Sequence, residues 1–151
     1  MNLTEHPEIV EWPETHYVFV EKVGPFLQNA PQAWAEAHKV IPALAEKNTV
    51  TGYISLYDMG PMIYRAGVSL AAAPLEVPED MRYEVFEGGK YSKFTLKGPY
   101  SQLGPATGRV FELVSQQGIA LRSGFCIENY GNDPRVTPEA ELISEILVPT
   151  A

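Results

Sequence analysis

The strongest constraint on how this chain can fold is an order of local signals that occurs twice. Gly24-Pro25-Phe26 and Gly98-Pro99-Tyr100 lie 74 residues apart, and Ile54-Ser55-Leu56-Tyr57 and Ile127-Glu128-Asn129-Tyr130 lie 73 apart. A fixed period of this kind is the signature of an internal repeat. Gly-Pro-aromatic triplets also arise by chance, so the duplication rests on the order and spacing of what surrounds them. Before the first triplet, Thr15 to Gly24 alternates as a strand; after it, Trp34, Ala37, Ile41 and Leu44 recur at near-helical spacing. Pro42 lacks the amide that a regular helix needs, which predicts a kink or a restart near Val40. Val50 to Asp58 and Met62 to Ala71, divided by the Met59-Gly60-Pro61 turn, read as an antiparallel hairpin.

Beyond a connector from Pro74 to Asp80 the same order returns. Strand residues run from Arg82 through Leu96, and a helical pattern including Val110, Leu113 and Val114 follows the second triplet. An apolar run from Gly124 to Tyr130, a turn at Asn132-Asp133-Pro134 and a closing strand from about Leu142 to Val148 complete it. The expected fold is α+β: one domain over residues 1–151 made of two pseudo-symmetric βαββ repeats, at about 9–73 and 81–149. The repeats should form antiparallel sheets with helices on one face and a ligand groove between them.

Composition narrows the function. With 45% hydrophobic and 20% charged residues the chain is globular, and it lacks the run of about 20 apolar residues that a membrane span needs. Met1 to Glu8 carries acids but no basic and apolar leader pattern, so a cytoplasmic location is expected. The net charge of −8, with 11 scattered basic residues, argues against direct nucleic-acid binding and biases the surface toward cations. Cys126 is the single cysteine, which excludes an internal disulfide and suits a small buried hydrophobe.

Strand alternation sorts side chains onto two faces. If Ile54 and Leu56 face the helices, then Tyr53, Ser55 and Tyr57 face away; Phe125 and Ile127 similarly leave Cys126, Glu128 and Tyr130 on the far side. Three tyrosines and a carboxylate suit a site that stacks aromatic rings and neutralises a cation. They equally suit amphipathic strand cover, with Glu128 paired to a base such as Arg65. Glu128 lies in Gly-Phe-Cys-Ile-Glu-Asn-Tyr, where partial desolvation should raise its pKa and favour a compensating cation. Glu145 is a second candidate, on a strand whose face is ambiguous because Ile143, Ile146 and Val148 do not alternate cleanly.

Residues 128–149 carry Glu-Asn-Tyr, then Asn-Asp-Pro, Thr-Pro-Glu and Glu-Ile-Leu-Val-Pro in order. This resembles the end of the GyrI-like, or AraC-type effector-binding, domain family, and Gly24-Pro25-Phe26 followed by Trp34 is similar to the family's first half. The resemblance implies tandem βαββ units that bind lipophilic, often cationic, drugs and dyes, with Glu128 contacting the ligand and Phe26 and Trp34 as aromatic candidates. Trp34 fits a core position equally well. Relatives are often fused to DNA-binding domains, whereas this chain reads as a stand-alone member. Some stand-alone relatives hydrolyse strained cyclopropane rings of DNA-alkylating natural products through a groove Glu, and others inhibit DNA gyrase by protein contact. The resemblance therefore implies drug or dye sequestration or sensing, with a hydrolase or a protein with a gyrase or regulator partner as alternatives.

Other chemistry has little support. His6, His16 and His38 lack metal-ligand spacing, so neither a metal nor a cofactor is expected. Gly104 to Arg109 lacks the Gly-Lys-Ser/Thr of a phosphate loop, and no Gly-x-Ser-x-Gly elbow occurs. Ring-opening hydrolysis would need a carboxylate to activate water, a role that Glu128 could fill.

Overall fold

Tyr17, Val18, Phe19 and Val20 are consecutive and all buried, so the strand that carries them is covered on both faces. The computed structural model describes residues 1–151. In chain order it forms β1 (Asn2–Leu3), β2 (Glu8–Trp12), β3 (Thr15–Val23), α1 (Phe26–Lys47), β4 (Val50–Asp58) and β5 (Ile63–Leu70). It continues as β6 (Arg82–Phe86), β7 (Gly89–Lys97), α2 (Leu103–Gln116), β8 (Cys126–Tyr130) and β9 (Ile143–Pro149). The class is α+β, as the sequence implies, and the chain divides into two compact units. One is Pro13–Gly88; the other joins Met1–Trp12 to Gly89–Ala151.

In the Pro13–Gly88 unit the antiparallel sheet has the order β6-β3-β5-β4. The apolar stripe Ala33, Ala37, Ile41 and Leu44 buries one side of α1. The helix does not end and restart at Pro42: Pro31 and Pro42 both lie within one continuous helix. Both prolines are exposed, and the stripe runs past each of them, so packing compensates for the missing amide bonds. Asn48 closes the helix, its Nδ2 donating to the Leu44 carbonyl at 3.0 Å.

The face that α1 covers is the opposite of the one expected. Trp34 on α1 bonds to Ser55 and Tyr64, Phe26 packs on Tyr57 and Tyr64, and Glu36 pairs with Lys22. Tyr53, Ser55 and Tyr57 therefore face the helix, and Ile54 and Leu56 share the other face with Tyr17 and Phe19. Alternation separates the two faces but cannot say which one a helix takes when both are buried. Here Ile54, Ser55, Leu56 and Tyr57 all are.

In the other unit β7 pairs with β1, β2 and β9, and β9 pairs with β8, all antiparallel. The apolar side of α2, Ala106, Val110, Leu113 and Val114, is buried, as the periodicity predicts. The strand expected from Arg82 through Leu96 is two strands. Gly88 and Gly89 have φ of 75° and 123°, which breaks it, and β6 pairs with β3 within Pro13–Gly88. β1 and β2 went unread in the sequence because their residues are largely exposed and too short a run to show a period.

Each Gly-Pro-aromatic turn has a physical role. Gly24 and Gly98 have φ of 126° and 150°, where a side chain is strained. Their amides donate to the Met62 and Leu142 carbonyls at 2.9 and 2.8 Å, tying the approach to each helix to the residue just before a strand of the same unit, β5 in one and β9 in the other. The proline that follows fixes the backbone for helix entry. Recurrence at 74 residues thus reflects one turn used once in each unit.

Candidate functional site

Glu128 is set by the pairing of β8 with β9. It stands opposite Ile146, and Tyr130 stands opposite Ser144; on β7, Phe94 and Leu96 pair with the same two β9 residues. Directly paired residues share a face. The carboxyl of Glu128 therefore lies on the face of Phe94, Leu96 and Ile146, each fully buried. The ring of Tyr100, in the turn that enters α2, meets Tyr130 edge-on at 5.5 Å. Glu128 and Tyr130 are thus on the face from which α2 enters, which corrects the expectation that they point away from the helices. The reason is the one found in β4: Cys126 and Ile127 are both buried, so apolarity does not mark the helix side.

Tyr130 donates its hydroxyl to Glu128 Oε1 at 2.9 Å. Burial pushes the Glu128 pKa above the ordinary carboxylate range, and the Tyr130 hydrogen bond only partly opposes it. Glu128 has no salt-bridge partner. Arg65, the base considered for it, is held by Glu21 and Glu84, both at 2.8 Å.

Glu145 is the contrasting acid. It pairs with Asn129, which places it on the face opposite Glu128. Its Oε1 accepts from Asn129 Nδ2 at 2.8 Å, and its Oε2 lies 3.2 Å from Lys93 Nζ, which also reaches Glu8. Its charge is already balanced by neighbours.

The remaining sequence candidates come together beneath α1. The Trp34 ring lies 6.4 Å from Tyr53 and 5.3 Å from His38, and His38 lies 6.2 Å from Tyr53. The Trp34 Nε1–H points between Ser55 Oγ at 3.1 Å and the Tyr64 hydroxyl at 3.0 Å, which are themselves 2.7 Å apart. The two readings of Trp34 meet here: one edge is locked into packing and the ring is half-buried. Trp34→Phe should lower stability by about 1–2 kcal/mol, the worth of the lost donor, as measured by urea unfolding. An unchanged midpoint would show that the indole nitrogen holds nothing. Tyr64, His38 and Tyr100 were not among the ligand-site candidates of the sequence, since the pairing of Tyr64 with Tyr57 and the approach of Tyr100 to Tyr130 are set by register and turn geometry.

Comparison with known proteins agrees with this fold and with the sequence resemblance. The model of the GyrI-like small molecule binding domain matches residues 5–151, and the chain belongs to that family. It is a small-molecule binding domain. Among solved structures it is similar to SAV2435 bound to tetraphenylphosphonium, with TM-score 0.77 at 16% identity over 96% of this chain and 93% of that one. The EcmrR C-terminal domain gives TM-score 0.75 at 19% identity over 100% and 99%. A hydrolase from Listeria innocua gives 0.57 at 15% identity over 98% and 93%. At these identities the likeness concerns the fold. No curated protein matches the sequence. No helix is long and apolar enough to cross a membrane.

Proposed function

We propose that this protein holds a lipophilic organic cation against Glu128, in a sequestering or sensing role. The observation that carries the proposal is a half-buried, desolvated carboxylate with no basic partner, in contrast to Glu145 on the neighbouring strand of the same sheet. An uncompensated buried charge is costly, and a ligand cation removes that cost. The aromatic rings of Tyr130 and Tyr100 supply faces and edges for aryl groups, and apolar neighbours suit a greasy ligand. Within the other unit the Trp34, Tyr53 and His38 stack is a further aromatic surface of the same kind. The tetraphenylphosphonium found on a protein of this fold is the chemistry expected.

Isothermal titration with tetraphenylphosphonium and with rhodamine 6G tests it, and saturable binding of at least one is expected. No saturable heat with either would end the proposal. The pH dependence follows from the direction of the Glu128 shift. Below its raised pKa the carboxyl is neutral and holds a cation poorly; above, it is charged. Affinity should therefore grow as pH rises through that value, by up to about tenfold per unit, and then level off. Titrations from acid to neutral pH check this, and an affinity flat across the range would mean that the binding group does not titrate there.

A second reading is hydrolysis by the same group, favoured by the raised pKa of Glu128 and the tyrosine hydroxyl beside it. Mass spectrometry of a cyclopropane-bearing alkylating agent incubated with the protein distinguishes them. Catalytic addition of water supports hydrolysis, and stoichiometric binding without product rejects it.

A further inference from the structure

One buried polar atom on the Glu128 face is left unsatisfied by the fold. Ser144 on β9 is fully buried, and its Oγ has no hydrogen-bond partner. It stands between Leu96 on β7 and Tyr130 on β8, its direct cross-strand neighbours, on the same face as Glu128. The Tyr130 hydroxyl is already given to Glu128. Leaving a hydroxyl unsatisfied among apolar side chains is unfavourable, and such groups in folded proteins call for a partner.

The backbone that carries Ser144 is fixed. Asn132 clamps the connector between β8 and β9, its Oδ1 accepting from the Ile143 amide at 2.9 Å and its Nδ2 donating to the Glu141 carbonyl at 3.1 Å. The Gly131 amide donates to the Ile143 carbonyl at 2.9 Å. The serine can therefore turn its hydroxyl but cannot move away, which is the pre-organisation expected of a recognition group.

We infer that Ser144 is a specificity residue of the Glu128 site, hydrogen-bonding a polar atom carried by the bound cation. This rests on the proposed cation binding and narrows its ligand class. Diagonal neighbours on paired strands have β-carbons roughly 7–8 Å apart or less, so the ligand's polar atom lies a few ångströms from its charge. The site then favours cations that carry an N–H or an oxygen near the charge over cations shielded by hydrocarbon alone. A hydroxyl both donates and accepts, so either kind of polar atom satisfies it.

The experiment compares Ser144→Ala and Ser144→Thr with the wild-type protein, titrating tetraphenylphosphonium, which has no hydrogen-bonding atom, and rhodamine 6G, which has N–H groups and oxygens. Ser144→Ala is expected to bind rhodamine 6G about fivefold more weakly and tetraphenylphosphonium unchanged, with no loss of thermal stability. Ser144→Thr, which keeps the hydroxyl, should retain most of the rhodamine affinity. Equal effects on both cations, or none on either, overturn the inference while leaving cation binding intact. Failure of the wild-type protein to bind either cation would remove the site itself and with it both readings.

Discussion

Glu128→Gln should weaken tetraphenylphosphonium binding by about 2 kcal/mol or more, roughly thirtyfold, and at neutral pH leave the ligand-free protein at least as stable as before. The two halves of that result come from one fact: desolvation dominates the Glu128 environment and no cation of the protein offsets it. An amide of the same shape can still accept from the Tyr130 hydroxyl through its carbonyl oxygen and loses only the charge. The sign for stability is fixed by the direction of the shift. The folded-state pKa is raised, so the folded protein binds the proton more tightly than the unfolded chain. Stability is then greatest below the unfolded value and falls as pH rises through the window up to the raised value. Glu128→Gln should lack that fall. Chemical denaturation at acid and neutral pH measures it, and a variant that binds normally, or that loses stability at neutral pH, would show that the charge is compensated in the native fold.

Gly67→Ala should be the most damaging small substitution in the Pro13–Gly88 unit, at about 3 kcal/mol or more, lowering Tm by roughly 10 °C. Gly67 on β5 stands opposite Phe19 on β3 and Ile54 on β4. A β-carbon there would overlap the Val18 carbonyl oxygen and press on Phe19 Cα and Cβ, both at 2.8 Å. Two of these three atoms are backbone, so no rotamer change relieves the overlap, and β3 would have to shift. Its residues Tyr17 to Val20 are buried, and the Tyr17 hydroxyl is fixed to the Ile54 carbonyl at 2.9 Å. A movement of β3 therefore disturbs both faces of the sheet. Gly104→Ala is the control, since nothing lies within 4 Å of an added β-carbon there. Equal melting temperatures for the two variants would refute the packing argument.

The order of elements was legible because its signals are local. The Gly-Pro-aromatic turns, the Met59-Gly60-Pro61 hairpin and the Ala37, Ile41, Leu44 period each act within a few residues, and each forms where the sequence places it. The acid flagged by its flanks, Glu128, is desolvated and has no basic partner, whereas Glu145 is paired with Lys93. The faces were not legible, because a strand buried on both sides has no polar edge to orient it. That Tyr53 and Tyr57, rather than Ile54 and Leu56, turn toward α1 is shown only by their contacts with Trp34 and Phe26. The Gly88-Gly89 pair was read through as part of a single strand, and which strand β6 joins depends on partners distant in sequence. Ser144 could not be distinguished from any small residue in an apolar strand until the pairing of β7, β8 and β9 showed its hydroxyl without a partner.

If charge at Glu128 selects the ligand, a pair of probes alike in shape and opposite in charge reveals it most directly. Tetraphenylphosphonium and tetraphenylborate differ in little but sign. Titrated against the same protein at neutral pH, the phosphonium should bind saturably and the borate at least about thirtyfold more weakly, with the difference shrinking in Glu128→Gln. Equal affinity for the two, or a preference for the borate, would contradict the account.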